Sequence, residues 1–141
     1  MNKTQAKIAA RNECEQIIFQ QTFEPEDYEK NLWKRKFKSI TYATIQKLIE
    51  KGFLKLEDDD YLYSSPTPAE IIEFVEKHNP DNWYFHGYVE LCKYNEFAVV
   101  IEGIGSHKPL DINDLVDFVQ YFRYADDLEI EVNKPVYCWI D

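Results

Sequence analysis

From Thr67 onward the chain passes twice from helical to strand-like spacing of its apolar positions. Thr67-Pro68-Ala69-Glu70 is a capping box with proline at the first helical position, and Ile71, Ile72, Phe74 and Val75 follow at helical intervals. His78-Asn79-Pro80 ends that helix. Period-two alternation then takes over. Trp83, Phe85, Val89 and Leu91 point one way, while Tyr84, His86, Tyr88, Glu90 and Tyr94 point the other, so a strand is expected over Trp83–Tyr94. A second strand, Phe97–Gly103, joins it at Asn95-Glu96. Asp111-Ile112-Asn113-Asp114 opens a further helix, with Ile112, Leu115, Val119 and Phe122 on its apolar side and Asp114, Asp117 and Tyr121 opposite. Leu128–Val132 and Val136–Ile140 flank a turn at Asn133-Lys134-Pro135. The order predicts an αββαββ lobe with an antiparallel sheet and helices on one face, an α+β arrangement.

The first part of the chain has helical spacing. Thr4 caps an expected helix to about Gln21, with Ile8, Cys14, Ile17 and Ile18 to one side. Pro25-Glu26-Asp27 has the composition of a second helix start, running through Leu32 and Trp33. Ser39 caps a third, with Tyr42, Ile45, Leu48 and Ile49 as its stripe and Gly52 as its stop. The stretch KLEDDDYLY that follows reads as a hairpin. A two-residue turn at Asp58-Asp59 puts Leu54, Leu56, Tyr61 and Tyr63 on one side and leaves Asp58, Asp59 and Asp60 at the tip. Ser64-Ser65-Pro66-Thr67-Pro68 interrupts both kinds of spacing. The expected division is a helical lobe ending in a hairpin, residues 1–64, and the αββαββ lobe, residues 65–141; the two can share one core.

The helix and hairpin over Ser39–Tyr63 resemble the recognition helix and wing of winged-helix domains. That resemblance implies contacts to nucleic acid from Lys47 and Lys51 on the helix and from Lys34, Arg35, Lys36 and Lys38 ahead of it. The acidic tip has the wrong sign for a wing that meets a phosphate backbone.

Charge sharpens this contrast. The 141 residues carry a net charge of −10. Residues 1–55 hold 11 basic against 7 acidic side chains, a net of +4, and residues 56–141 hold 5 against 19, a net of −14. Such asymmetry points to a partner of opposite charge or to halves that face each other. The chain has no apolar run of the roughly 18 residues a membrane helix needs, and its first 25 residues have no signal-peptide pattern. Three widely spaced cysteines, Cys14, Cys92 and Cys138, suit reduced thiols and a cytoplasmic setting.

Several chemistries fail on spacing. A calcium loop starting at Asp58 would put Leu62 fifth and Ala69 twelfth, with no glycine at its turn. His78, His86 and His107 have no metal-ligand spacing among themselves or with the cysteines. Cys92 and His86 lie six residues apart on one strand, about 20 Å, too far to act together. Gly103-Ile104-Gly105-Ser106-His107-Lys108 reads as a loop able to cradle an anion, but it fits no nucleotide fingerprint and Asp111, Asp114 and Asp117 follow it.

What remains is a surface. Tyr84, Tyr88, Tyr137 and Trp139 can share a face with carboxylates, and aromatics of this kind dominate binding hot spots. The sequence therefore predicts a non-enzymatic acidic binding protein, without cofactor or metal, that recognises a basic, nucleic-acid-handling protein. In size and charge it is similar to phage inhibitors of host defence nucleases, which present carboxylates where phosphates would sit. The candidate acids are Asp58, Asp59 and Asp60, Asp114 and Asp117, Asp126 and Asp127, and Glu129 and Glu131. A winged-helix-like regulator, whose basic N-terminal lobe binds nucleic acid and whose acidic lobe mediates homodimerisation or sensing, is the alternative, and an enzyme with an unrecognised site the third.

Overall fold

The computed structural model describes residues 2–20, 34–56, 66–92 and 96–140. Four helices and a five-stranded antiparallel sheet make an α+β fold among the described residues. In chain order these are α1 (Lys3–Phe19), β1 (Lys34–Thr41), α2 (Tyr42–Glu50), α3 (Pro68–Lys77), β2 (Trp83–Leu91), β3 (Phe97–Ser106), α4 (Ile112–Phe122), β4 (Asp127–Glu129) and β5 (Tyr137–Trp139). The sheet order is β1-β2-β3-β5-β4.

Helix starts follow side-chain capping. Thr67 accepts from the Glu70 backbone N–H at 3.2 Å, and Glu70 closes the expected box. Asp111 caps α4 by accepting from Asp114 N–H at 2.8 Å. Two caps differ from expectation. Asn2, not Thr4, caps α1, through a box with Gln5. Thr41, not Ser39, caps α2. Ser39 lies instead in β1, so Lys34–Thr41 is a strand where helical structure was expected to end. The second expected helix, the hairpin tip and its Tyr61 and Tyr63 lie outside the described residues. Residues 53–56 run in bends rather than as the first arm of a hairpin, although Leu54 is buried as expected.

One cluster of buried side chains draws on both parts of the chain. Cys14 and Ile18 of α1, Phe37 and Ile40 of β1, and Ile45 and Leu48 of α2 join Trp83, Phe85 and Val89 of β2 in it. Phe74 of α3 is its aromatic hub, edge-on to Trp83 at 5.3 Å and to Phe122 at 5.2 Å. The Trp83 indole N–H donates to the His78 carbonyl at 2.8 Å, which satisfies its polar end. Each of the four described helices contributes buried side chains to this cluster.

Helix α4 corrects the expected stripe. Phe118 and Phe122 are buried, whereas Ile112 and Val119 are exposed with Val116. The larger rings take the core, and the β-branched residues one step round the helix face outward. Asp114 and Asp117, expected on the outer side, turn towards α3.

Candidate functional site

The face of the sheet opposite the helices is where aromatic and charged side chains meet. Alternation along β2 sends Trp83, Phe85 and Val89 into the core and leaves Tyr84, His86, Tyr88 and Glu90 half-buried on the other side. Register brings the neighbouring strands into line. Lys34 lies opposite Glu90 and Lys36 opposite Tyr88. Gly105 lies between Tyr84 and Tyr137, and Gly103 between His86 and Trp139. On the far edge Glu129 faces Tyr137 and Asp127 faces Trp139. The open face thus runs from lysines on β1, through aromatics on β2 and β5, to carboxylates on β4.

Glycine permits the aromatic row. The segment from Gly103 to Ser106 was expected to be a loop, but it is buried strand. A Cβ on Gly103 would sit 2.8 Å from the Tyr137 hydroxyl, and one on Gly105 would collide with the Tyr84 ring. The two tyrosines lie across the space that side chains would fill. His107, Tyr84, His86 and Tyr137 follow one another at centroid separations of 5.1, 5.2 and 5.6 Å. Ser106 is also structural: its hydroxyl accepts from Val136 N–H at 2.9 Å.

Two irregularities shape the centre. The β1–β2 register shifts between Phe37 and Ile40, and the β2–β3 register shifts between His86 and Gly87. β2 is therefore bulged against on both sides at one level, and bulges re-aim side chains. Ser39, at the first shift, has φ of 57°, a left-handed conformation rare for serine. Its N–H donates to His86 Nδ1 at 3.0 Å. An accepting Nδ1 leaves the neutral imidazole its proton on Nε2. Burial, and then the charge of Lys38, hold the His86 pKa below its ordinary 6.5, which favours this neutral form. Burial, then the thiol of Cys138 and the charges of Tyr84, Glu102 and Glu129, push Tyr137 up to about 12, so it stays a neutral phenol. A hollow of about 340 Å³ opens here, with Lys36, Lys38, His86, Glu102, Tyr137 and Trp139 around it.

The sequence-predicted residues fall into separate places. Tyr84, Tyr88, Tyr137 and Trp139 share the open face, as their alternation requires, and Lys34 sits 4.3 Å over the Tyr88 ring. Asp127 and Glu129 join them. Asp114 and Asp117 do not: they flank His78 on the helix side, at 3.0 and 3.2 Å, where they tie α4 to the end of α3. Asp126 is held at the strand end through its N–H to the Trp139 carbonyl at 3.0 Å. Glu131 pairs with Lys134 at 2.7 Å on the hairpin. Asp58, Asp59 and Asp60 lie outside the described residues. Among the proposed nucleic-acid contacts, Lys36 and Lys38 turn to the open face with Lys34, whereas Arg35 packs over the Phe19 ring at 5.4 Å towards α1. Lys47 is exposed on α2, and Lys51 pairs with Glu13 at 2.9 Å. Glu102 is the site residue that sequence reasoning missed. Its place at a bulge hides it from simple alternation.

No group of three metal-ligating side chains comes together among the described residues, and none of their helices is long and apolar enough to cross a membrane. No family model, curated protein or solved structure matches this chain, so the site is read from its own geometry.

Proposed function

We propose that this is a non-catalytic binding protein that docks the open face of its sheet onto a partner protein with a basic surface, one that itself handles nucleic acid. The observation that carries this reading is the sharing of one sheet face, free of helices among the described residues, by Tyr84, Tyr88, Tyr137 and Trp139 with Asp127 and Glu129. Half-buried aromatics supply contact area at low entropic cost, and adjacent carboxylates select basic groups. The net charge of −10 adds long-range attraction for such a partner. The half-exposed helix-side pair Asp114 and Asp117 flanks His78 away from this face and serves as a control. Asp58, Asp59 and Asp60 remain a second proposed contact.

Affinity capture from the native host's lysate tests this, at low and high salt. Recovery of a basic nuclease, polymerase or repressor that is lost at high salt and lost with Tyr84→Ser/Trp139→Ser supports the face. Equal recovery with those variants refutes it, and recovery of nucleic acid alone overturns the reading. The winged-helix regulator has less to rest on, because its basic residues divide between β1, the Phe19 contact and α2.

A further inference from the structure

Helix α4 carries an apolar line that the core does not use. Ile112, Val116 and Val119 are 67%, 50% and 39% exposed, while Phe118 and Phe122, with half-buried Leu115, pack into the core. Of the six large apolar side chains exposed among the described residues, those three and Tyr124 lie on α4 or directly after it. Scattered apolar side chains are ordinary at a surface, but a contiguous group marks an interaction site. The spacing is specific as well. The backbone stays helical at Arg123, so Ile112, Val116, Val119 and Arg123 follow at intervals of four, three and four residues. That is the seam along which two helices pair. Asp114, Asp117 and Tyr121 occupy the opposite flank, where they meet His78 and Phe74 at α3. At 100° per residue the seam therefore points away from α3.

Charge decides what covers it. The seam begins beside the acidic cap Asp111 and ends at the cation Arg123, whose guanidinium lies 4.8 Å over the exposed Tyr124 ring. A wholly basic helix would meet Arg123 with like charge, and a wholly acidic one would meet Asp111. The same seam reversed matches both ends. We propose that a second copy of this chain covers it, with the two α4 helices antiparallel across a two-fold axis. Val116 of each copy then meets Val119 of the other, and Ile112 packs on the aliphatic stem of Arg123. Each guanidinium comes level with the second copy's Asp111, and the two helix dipoles run in opposite directions. A standard interface engages about 20–30 residues a side, and one 11-residue helix supplies fewer. Both copies also carry a net charge of −10. The dimer is therefore weak, with a dissociation constant on the order of 10–100 µM once salt of about 0.3 M screens the repulsion. Because α4 packs on the core cluster and not on the open sheet face, that face stays clear in both copies. This pairing is independent of partner docking: either can fail alone.

The test is sedimentation equilibrium of the whole chain over about 5–500 µM in about 0.3 M salt. A monomer–dimer equilibrium with no larger species is expected, because a two-fold contact closes. Val116→Lys, at an exposed position, should keep the urea midpoint and weaken the dimer about tenfold or more. Arg123→Glu, which sets like charge against the second copy's Asp111, should weaken it about fivefold. Ile8→Lys, on the exposed side of α1, should leave it unchanged. Direction is read by mixing a nitroxide-labelled Cys92→Ser/Asn113→Cys chain with an unlabelled, isotope-enriched one, since Cys14 and Cys138 are buried. Amide broadening strongest from Arg123 to Ala125 of the enriched copy supports the antiparallel pair. Broadening strongest from Ile112 to Asp114 overturns it. A monomer at the top of the concentration range, a dimer unchanged by both Val116→Lys and Arg123→Glu, equal weakening by Ile8→Lys, or growth beyond the dimer each overturn the proposal.

Discussion

Replacing Gly87 by alanine tests the geometry beneath the hollow. Gly87 is buried on the core side of β2, between both register shifts. A Cβ there would overlap the Val100 carbonyl oxygen and lie 2.7 Å from Phe37 Cζ, where 3.0 Å is already closer than real Cβ atoms come. Phe37 can turn a little, but Val100 is backbone, so β3 itself must move away from β2. Overpacking a core costs about 1–3 kcal/mol. Loosening the adjacent ladder adds the loss of about one hydrogen bond, roughly 1 kcal/mol. The expected loss is about 3 kcal/mol, a large share of the 5–15 kcal/mol or so that holds a domain together. In a chain of this size that lowers Tm by about 10 °C. Urea unfolding followed by tryptophan fluorescence measures it, with an unchanged slope marking a pure stability effect. Gly52→Ala is the control: nothing lies within 4 Å of its Cβ, yet φ is +77°, so only the left-handed backbone is penalised, about 1–2 kcal/mol. If Gly87→Ala loses less than Gly52→Ala, the packing described between β1, β2 and β3 is wrong.

Phe74→Ala, which removes the fully buried hub of the aromatic cluster, should cost about 3–5 kcal/mol in the same urea assay. Thiol titration in the native state at about pH 8 should find Cys92 alone reactive. Cys14 and Cys138 are buried, with thiols pushed up to about 12 chiefly by burial, and should react only once the chain unfolds. His86 has a folded pKa below the 6.5 of the unfolded chain. Above that value both states are neutral and stability is level; as pH falls from there through the folded pKa, the unfolded chain gains the proton first and stability is lost. Lys38→Gln should raise the His86 pKa and shrink that loss, read from urea midpoints and imidazole NMR; titration of His86 above 6.5 would contradict the site's electrostatics.

Where sequence reading succeeded, one periodicity governed the segment. β2 alternates without interruption from Trp83 to Glu90, so both its faces were legible. Thr67 and Glu70 are enough to start α3. β1 was hidden by its own irregularity. Its inward residues Phe37 and Ile40 are three apart because the register shifts between them, and three is a helical interval. On α4 Phe122 is buried as expected, but spacing alone does not weigh Phe118 against Ile112 and Val119. Gly103 and Gly105 have the composition of a loop, but they serve close packing under Tyr137 and Tyr84, a long-range fact. The meeting of Lys36 and Lys38 with His86 and Trp139 depends on register across four strands, which no local pattern encodes.

The lysines of β1 have a second effect. Among the described residues β1 and β4 are the outer strands, whose unpaired backbone groups invite a further strand from another molecule. β1 meets that hazard with Lys34, Lys36 and Lys38 and a kink at Ser39, and β4 with only three residues, Asp127 and Glu129 among them. The two rims carry opposite charge, so each repels its own kind while one could attract the other. Salt should therefore favour like-with-like stacking of rims, and its absence head-to-tail stacking. A chain stripped of Lys36 and Lys38 should lose that self-repulsion and become prone to pairing β1 with β1 of a second copy, a contact that closes as a dimer.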